Sequence, residues 1–325
     1  MVRYTDSTEL GFGGYGTVFS AYDNKEGKWV AIKKVNMEMN VITAAFTRET
    51  FLMQNIRHPN IVRCENVFVE GESLCIVMEL LNMDLQAHSS KFNSAYPAIV
   101  KIFLKHLLEG LAHMHGKFII HRDLKTTNLL VDTDSTPPTL KITDFGHAAI
   151  ALNPTLSPKM GTMAYNAPEF LLGAVDYGMP VDIWAAGCIF GEMSEWGADE
   201  EGSMVFGKDA ETDVDLLFDI FGLLGAPTEA SWPGVTELPK WINGMESLGF
   251  APKDLNARFL KLDGVGIDLL KRMLCLNPSE RITAEAALKH EYFNGAQSMQ
   301  LKLGSLQSTL FSLSVTAATC FYCSV

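Results

Sequence analysis

Three stretches of this 325-residue sequence gather residue types that handle phosphate. "GFGGYGTV" places glycines at 11, 13 and 16, and glycine backbone lets amides come close to a polyphosphate. A Gly-rich hairpin also serves as a plain turn. A dinucleotide fingerprint needs a helix directly after its last glycine; here the chain continues as a strand, which excludes that reading. In "VAIKKV", Lys33 shares a strand face with Ala31, and Ile32 takes the other. A lysine is seldom buried without an anionic partner. The candidates are a phosphate and Glu49 of the next helical segment; a solvated edge lysine is the alternative. "HRDLKTTNLL" adds Asp123, Lys125 and Asn128. An Asp and an Asn five apart, ahead of an apolar strand, suit a carboxylate beside a hydroxyl acceptor and a carbonyl ligand for a hard cation. Sixteen residues after Asn128, Asp144 offers a second oxygen ligand. Mg²⁺ takes few protein ligands and draws the rest from phosphate.

Positioning these groups requires two kinds of architecture. Up to about residue 80 the pattern is strand-like: "TVFSAYD" and "KWVAIKKV" flank the turn "NKEG", and "SLCIVMELL" reads as a buried strand. A helical segment, 44–56, interrupts them. Beyond Asp84 the period changes. Ile99, Ile102, Phe103, His106, Leu107, Gly110, Leu111 and Met114 follow helical spacing over four turns, and helical runs recur at 181–193, 213–224, 266–276 and 283–290. The fold class expected is α+β, with a small β-rich lobe (1–79), a larger α-rich lobe (80–295) and a connection near 79–83. A cleft between lobes is a preferred cofactor site.

Bulk properties narrow the function classes. The net charge is −12 and no Lys/Arg run stands out, which argues against nucleic acid as a partner. The six cysteines are scattered, as in a protein of a reducing compartment, cytoplasmic or nuclear. The N-terminus has no signal-peptide core. Residues 296–325 read as a Ser/Thr-rich tail, uncharged from Leu303 on. Nine of its last 23 residues are Ser, Thr or Gln, so a membrane anchor is not expected. Cys320 and Cys323 lack a second pair for a metal site, and "FYCSV" does not fit a prenylation signal.

The order Gly-rich loop, V-A-I-K, H-R-D-x-K-x-x-N, D-F-G, A-P-E resembles that of eukaryotic protein kinases over about residues 8–293. The resemblance implies the bilobal kinase fold and transfer of the ATP γ-phosphate to protein hydroxyls with Mg²⁺. It assigns Lys33 to the α/β-phosphates with Glu49 as its partner, and Asn128 and Asp144 to the metal. Asp123 orients the acceptor hydroxyl, Lys125 contacts the γ-phosphate, and Thr162 supports both. Gly11, Gly13, Gly16, Val18, Ala31 and Leu130 are assigned to the nucleotide, with Glu79 and Leu81 meeting adenine through backbone groups and Met78 behind it. Lys125 after the catalytic Asp looks like a Ser/Thr kinase.

"VDIWAAGCIFGEM", "DLLFDIFGLLGAPTEASWPGVTELPKW" and "LLKRMLCLNPSERITAEAALKHEYF" look like cyclin-dependent kinases and their near relatives. "TAAFTRE" stands where those carry "PSTAIRE", which retains Arg48-Glu49 and suggests a cyclin-like activator at that helix; a cyclin-independent kinase and a pseudokinase scaffold are the alternatives. All four residues a scaffold would lose, Lys33, Asp123, Asn128 and Asp144, are present. Glu169 and Arg281 resemble the ion pair that anchors the activation segment. Three departures stand out. Of the three arginines that gather a phosphate on the loop, Arg48 and Arg122 are present and Ala149 takes the third place; Ser157, or next Thr155, is the expected acceptor. Ala164 and Asn166 replace a Trp and an Arg of "WYRAPE", which predicts a relaxed preference for Pro after the phosphoacceptor. Thr126 stands where Pro is common.

Overall fold

The computed structural model describes residues 2–13, 16–36, 44–92, 97–151, 161–196 and 204–294, without the side chains of 44–48, 91–92 and 246. In chain order these form β1 (Tyr4–Gly13), β2 (Gly16–Asp23), β3 (Lys28–Asn36), α1 (Ala44–Asn55), β4 (Cys64–Glu70), β5 (Ser73–Glu79), β6 (Met83–Asp84), α2 (Leu85–Phe92), α3 (Pro97–His115), β7 (Ile119–Ile120), β8 (Leu129–Asp132), β9 (Thr139–Ile142) and β10 (Ala149–Ile150). Helices α4 (Pro168–Leu171), α5 (Pro180–Ser194), α6 (Asp213–Leu224), α7 (Leu255–Arg258), α8 (Gly264–Met273) and α9 (Ala284–Ala287) follow. The expected α+β character is present, with sheet at the N-terminal end and helices toward the C-terminal end.

The chain makes two compact units. Among the described residues the first takes those of Met1–Lys91 and Thr126–Ala148, and the second those of Phe92–Lys125 and Ala149–Ala296. The linear boundary at 79/80 does not coincide with them. The reason is hydrogen bonding: β8 pairs with β6 as well as β9, the Val62 amide donates to the Ile142 carbonyl at 2.9 Å, and buried Asn60 donates to the Leu140 carbonyl at 3.0 Å. The β8–β9 hairpin is thereby tied to residues 60–84.

The first unit is built on an antiparallel sheet of order β1-β2-β3-β5-β4. Alternation decides what each face does. Ala21, Val30, Ile32, Cys75 and Val77 form the core on one face, with Tyr4 and Phe68 packed against them; burying a large side chain there contributes about 1.5–3 kcal/mol. On the other face Val18 lies opposite Lys33, and Ala31 opposite Met78.

The second unit centres on α3, which buries Phe103, Leu107, Leu111 and Met114 along one stripe, and on the almost wholly buried α5. Fully buried Trp184 stacks on Phe206 with ring centroids 5.6 Å apart. Thr212 and Asp215 cap α6 reciprocally. The helical run foreseen at 283–290 stops after one turn, because His290 is extended and its ring accepts from the Tyr292 amide, opening a new turn.

Candidate active site

In the first unit the sheet delivers Lys33 to two carboxylates. Its Nζ lies 2.7 Å from Glu49 Oε1 on α1 and 3.1 Å from Asp144 Oδ1. Burial disfavours the ammonium charge, but Glu49 and Asp144 outweigh it and hold the pKa above the usual lysine value. The solvated-edge alternative is thereby removed. Asn128 closes a short 3₁₀ turn ahead of β8 and is buried. Its carbonyl accepts from the Thr143 amide at 3.1 Å, which sets Asp144 just past the residue paired with it. Asp144 has φ +61°, a left-handed conformation unusual for a residue with a side chain.

The other nucleotide candidates lie in the same unit. Gly13 pairs with Gly16 at the tip of the β1–β2 hairpin, and Gly11 pairs with Val18. Gly16 has φ +132°, and a Cβ there would lie 2.2 Å from the Lys34 carbonyl oxygen, so only glycine fits. Val18, Ala31, Lys33 and Met78 share one sheet face by register. The Glu79 amide donates to the Arg63 carbonyl, and its carboxylate meets Lys141 Nζ at 2.8 Å. Leu81 and Leu130 are buried.

In the second unit, Asp123 is held by the segment that begins at Gly161. Its Oδ1 accepts from the Thr162 amide at 2.8 Å and the Thr162 hydroxyl at 3.1 Å, and Lys125 Nζ stands 3.7 Å from Oδ2. Gly161, at φ +90°, makes this approach sterically feasible: a Cβ there would fall 2.7 Å from the Arg122 carbonyl oxygen. Arg122 is itself left-handed, at φ +69°, and its guanidinium donates to the Tyr177 hydroxyl at 3.0 Å. The Arg48 side chain, Thr155 and Ser157 lie outside the described residues.

Several supporting residues escaped the sequence reading. Asp182 on α5 is buried and accepts from the His121 amide at 2.8 Å, the Arg122 amide at 2.9 Å and His115 Nε2 at 3.0 Å. Burial alone would raise its pKa; His115 and the Arg122 amide keep it below the usual carboxylate value. It pins the backbone just before Asp123. Tyr165 donates to Glu192 at 3.1 Å, and burial pushes the Glu192 carboxyl up to about 8. "VDIWAAGCIFGEM" carried a signal for Asp182 and Glu192, two acids in a largely apolar helix; the others had none.

The foreseen anchor is present and fully satisfied. Arg281 donates to Glu169 through both terminal nitrogens, at 2.7 and 2.9 Å. Its remaining N–H groups reach the carbonyls of Cys275, Pro180 and Leu276, so all five donors of the fork are used. The guanidinium also lies 5.2 Å from the Trp184 ring centroid. The four cysteines among the described residues, Cys64, Cys75, Cys188 and Cys275, are free thiols. No helix among those residues is long and apolar enough to cross a membrane. A family model, the protein kinase domain, matches residues 4–293.

Proposed function

Because the chain belongs to the protein kinase family, and is thus a phosphotransferase acting on proteins, we propose that it moves the γ-phosphate of Mg-ATP to Ser and Thr hydroxyls as a relative of the cyclin-dependent kinases. The observation that carries the reading is the Lys33 ammonium fixed between Glu49 and Asp144. A cation held in this way by two carboxylates is prepositioned for a polyphosphate. Lys33 binds the α/β-phosphates, and the glycines of the β1–β2 hairpin cover them. Asn128 and Asp144 fit Mg²⁺: one amide oxygen and one carboxylate are hard donors, too few for a protein-only cage. Consistent with this, no group of three or more His, Cys, Asp or Glu suited to a metal occurs among the described residues. When bound, the ion supplies charge neutralisation at the phosphate oxygens.

Asp123 orients the acceptor hydroxyl and takes its proton. Thr162 fixes the carboxylate through two hydrogen bonds to one oxygen, which leaves Asp123 a single orientation. Lys125 offsets charge on the transferred group. Lys125 and the cyclin-dependent-kinase-like segments support Ser/Thr specificity. Ala164 and Asn166 support acceptance of residues other than Pro after the phosphoacceptor. Ser157 followed by Pro158 supports an activating phosphorylation there, with two arginines rather than three to gather it. The scattered cysteines support a cytoplasmic or nuclear location.

The activator question has two readings. Arg48-Glu49 in "TAAFTRE" favours a cyclin-like partner at α1. The Lys33–Glu49 contact, made at 2.7 Å by the single chain, favours activity without one, since the pair such a partner would complete is already formed. Transfer from labelled Mg-ATP to basic protein and peptide panels, with and without cyclins, tests these readings. Asp123→Asn and Asp144→Asn serve as controls, and phosphoamino-acid analysis identifies the acceptor. Phosphotyrosine as sole product, or transfer undiminished in both variants, would sink the proposal. Strict Ser/Thr-Pro selection would remove the statement on Pro, and full activity of unphosphorylated Ser157→Ala the statement on Ser157.

A further inference from the structure

Within the second unit, the last turn of α3 and the first turns of α5 and α9 leave a cavity of about 210 Å³. Ala112, Met179, Ile183 and Ile282 give it apolar walls, and His115 and Glu285 supply polar edges. Arg281 also borders it, but that guanidinium is neutralised by Glu169 and its donors are occupied. Behind His115 stands Asp182, buried and held in its charged form by His115 and backbone amides. With Nε2 committed to Asp182, Nδ1 is the His115 ring nitrogen that Asp182 does not engage. Among the described residues that line it, Glu285 is thus the carboxylate at the edge, and Arg281, the cation, is already compensated by Glu169.

We propose that this cavity binds a small organic cation, with its apolar body between α3, α5 and α9 and its ammonium group at the polar edge formed by Glu285 and His115. The size agrees with such a ligand: an apolar cavity of about 150 Å³ holds benzene, so the larger space admits a ring with a short amine-bearing arm. The place gives occupancy a consequence. His115 leads through Asp182 to the amides of His121 and Arg122, and Arg281 leads to Glu169 of α4. A ligand here touches both tethers of the catalytic segments. The inference is independent of which hydroxyl the enzyme phosphorylates.

Methyl NMR of the full chain, labelled at Met and Ile and titrated with phenethylammonium, is the test. Saturable shifts are expected at Met179, Ile183 and Ile282, with a Kd of about a millimolar, as suits so few atoms. The similarly sized 3-phenylpropionate should leave these methyls unmoved. Ala112→Leu, which fills the slot, should abolish the shifts. Glu285→Gln, at an exposed position that does not load the core, should weaken binding about fivefold or more. Absence of saturable shifts up to about 20 mM, well above the expected Kd, overturns the proposal. Equal binding of the carboxylate, or indifference to both substitutions, does the same.

Discussion

Replacing Arg281 with Met should unfold the second unit more readily than any comparable surface change. Met has similar reach and no charge, so the volume is largely kept and the electrostatics are lost. Glu169 is 3% exposed and would be left as a buried carboxylate without its cation, a situation that costs about 3–5 kcal/mol. The carbonyls of Pro180, Cys275 and Leu276 lose a donor at the same time. With a urea m-value of about 3 kcal/mol/M for a unit of this size, the midpoint should fall by about 1–1.7 M. Glu169→Gln is expected to cost less, about 1.5–3 kcal/mol, because the backbone carbonyls still receive Arg281. The informative measurement is the double variant. Glu169→Gln removes the orphaned charge that Arg281→Met creates, so the two losses should fall short of their sum by about 1–3 kcal/mol. Urea titration read by hydrogen-exchange protection of α5 reports this unit alone. A drop under about 0.3 M for Arg281→Met, or strict additivity in the cycle, would show that the pair does not work as a buried unit.

Three further outcomes follow from the same geometry. Glu192 titrates at about 8 in the folded chain against an ordinary 4.5; between these values the folded state keeps a proton that the unfolded state releases. Stability should therefore fall as pH rises through that window, by up to about 1.4 kcal/mol per unit, and urea midpoints of Glu192→Gln from pH 5 to 8 should lack the slope. Asp182 has the opposite sign: its pKa is depressed below 3.8, so its stabilisation is complete above that pH and is lost as pH falls through the folded value. Asp182→Asn should flatten the acid limb of unfolding and, by loosening the backbone before Asp123, lower kcat about tenfold or more in a peptide assay. Gly161→Val forces a Cβ against the Arg122 carbonyl at a positive φ; about 1–3 kcal/mol of strain should appear as lost kcat with ATP affinity unchanged, and a wild-type rate would refute the role given to Gly161.

What the sequence disclosed was whatever repeats locally. Strand alternation put Lys33 and Ala31 opposite Ile32, and β3 has that facing. Helical period located α1, α3, α5 and α6 to within a residue or two at most ends. Motif order brought out Lys33, Glu49 and Asp144, which meet, and Asp123, Lys125 and Thr162, which meet. The remainder depends on long-range partners that leave no local trace. Nothing in "HMHGKF" says that His115 will bond a carboxylate 67 residues later. The two-residue strands β6, β7 and β10 exist only through their pairing. Gly161 reads as a loop glycine until the Arg122 carbonyl appears beside it.

The left-handed backbone of Asp144 has a consequence for how the chain can be improved. At φ +61° a glycine would relieve the backbone strain, but it would also remove one of the two carboxylates that hold buried Lys33. A screen that rewards heat resistance alone weighs only those two effects and is blind to the metal-binding part proposed for this carboxylate. Hardening this enzyme safely means selecting for turnover alongside melting temperature, because the strain at this position comes with the side chain it carries.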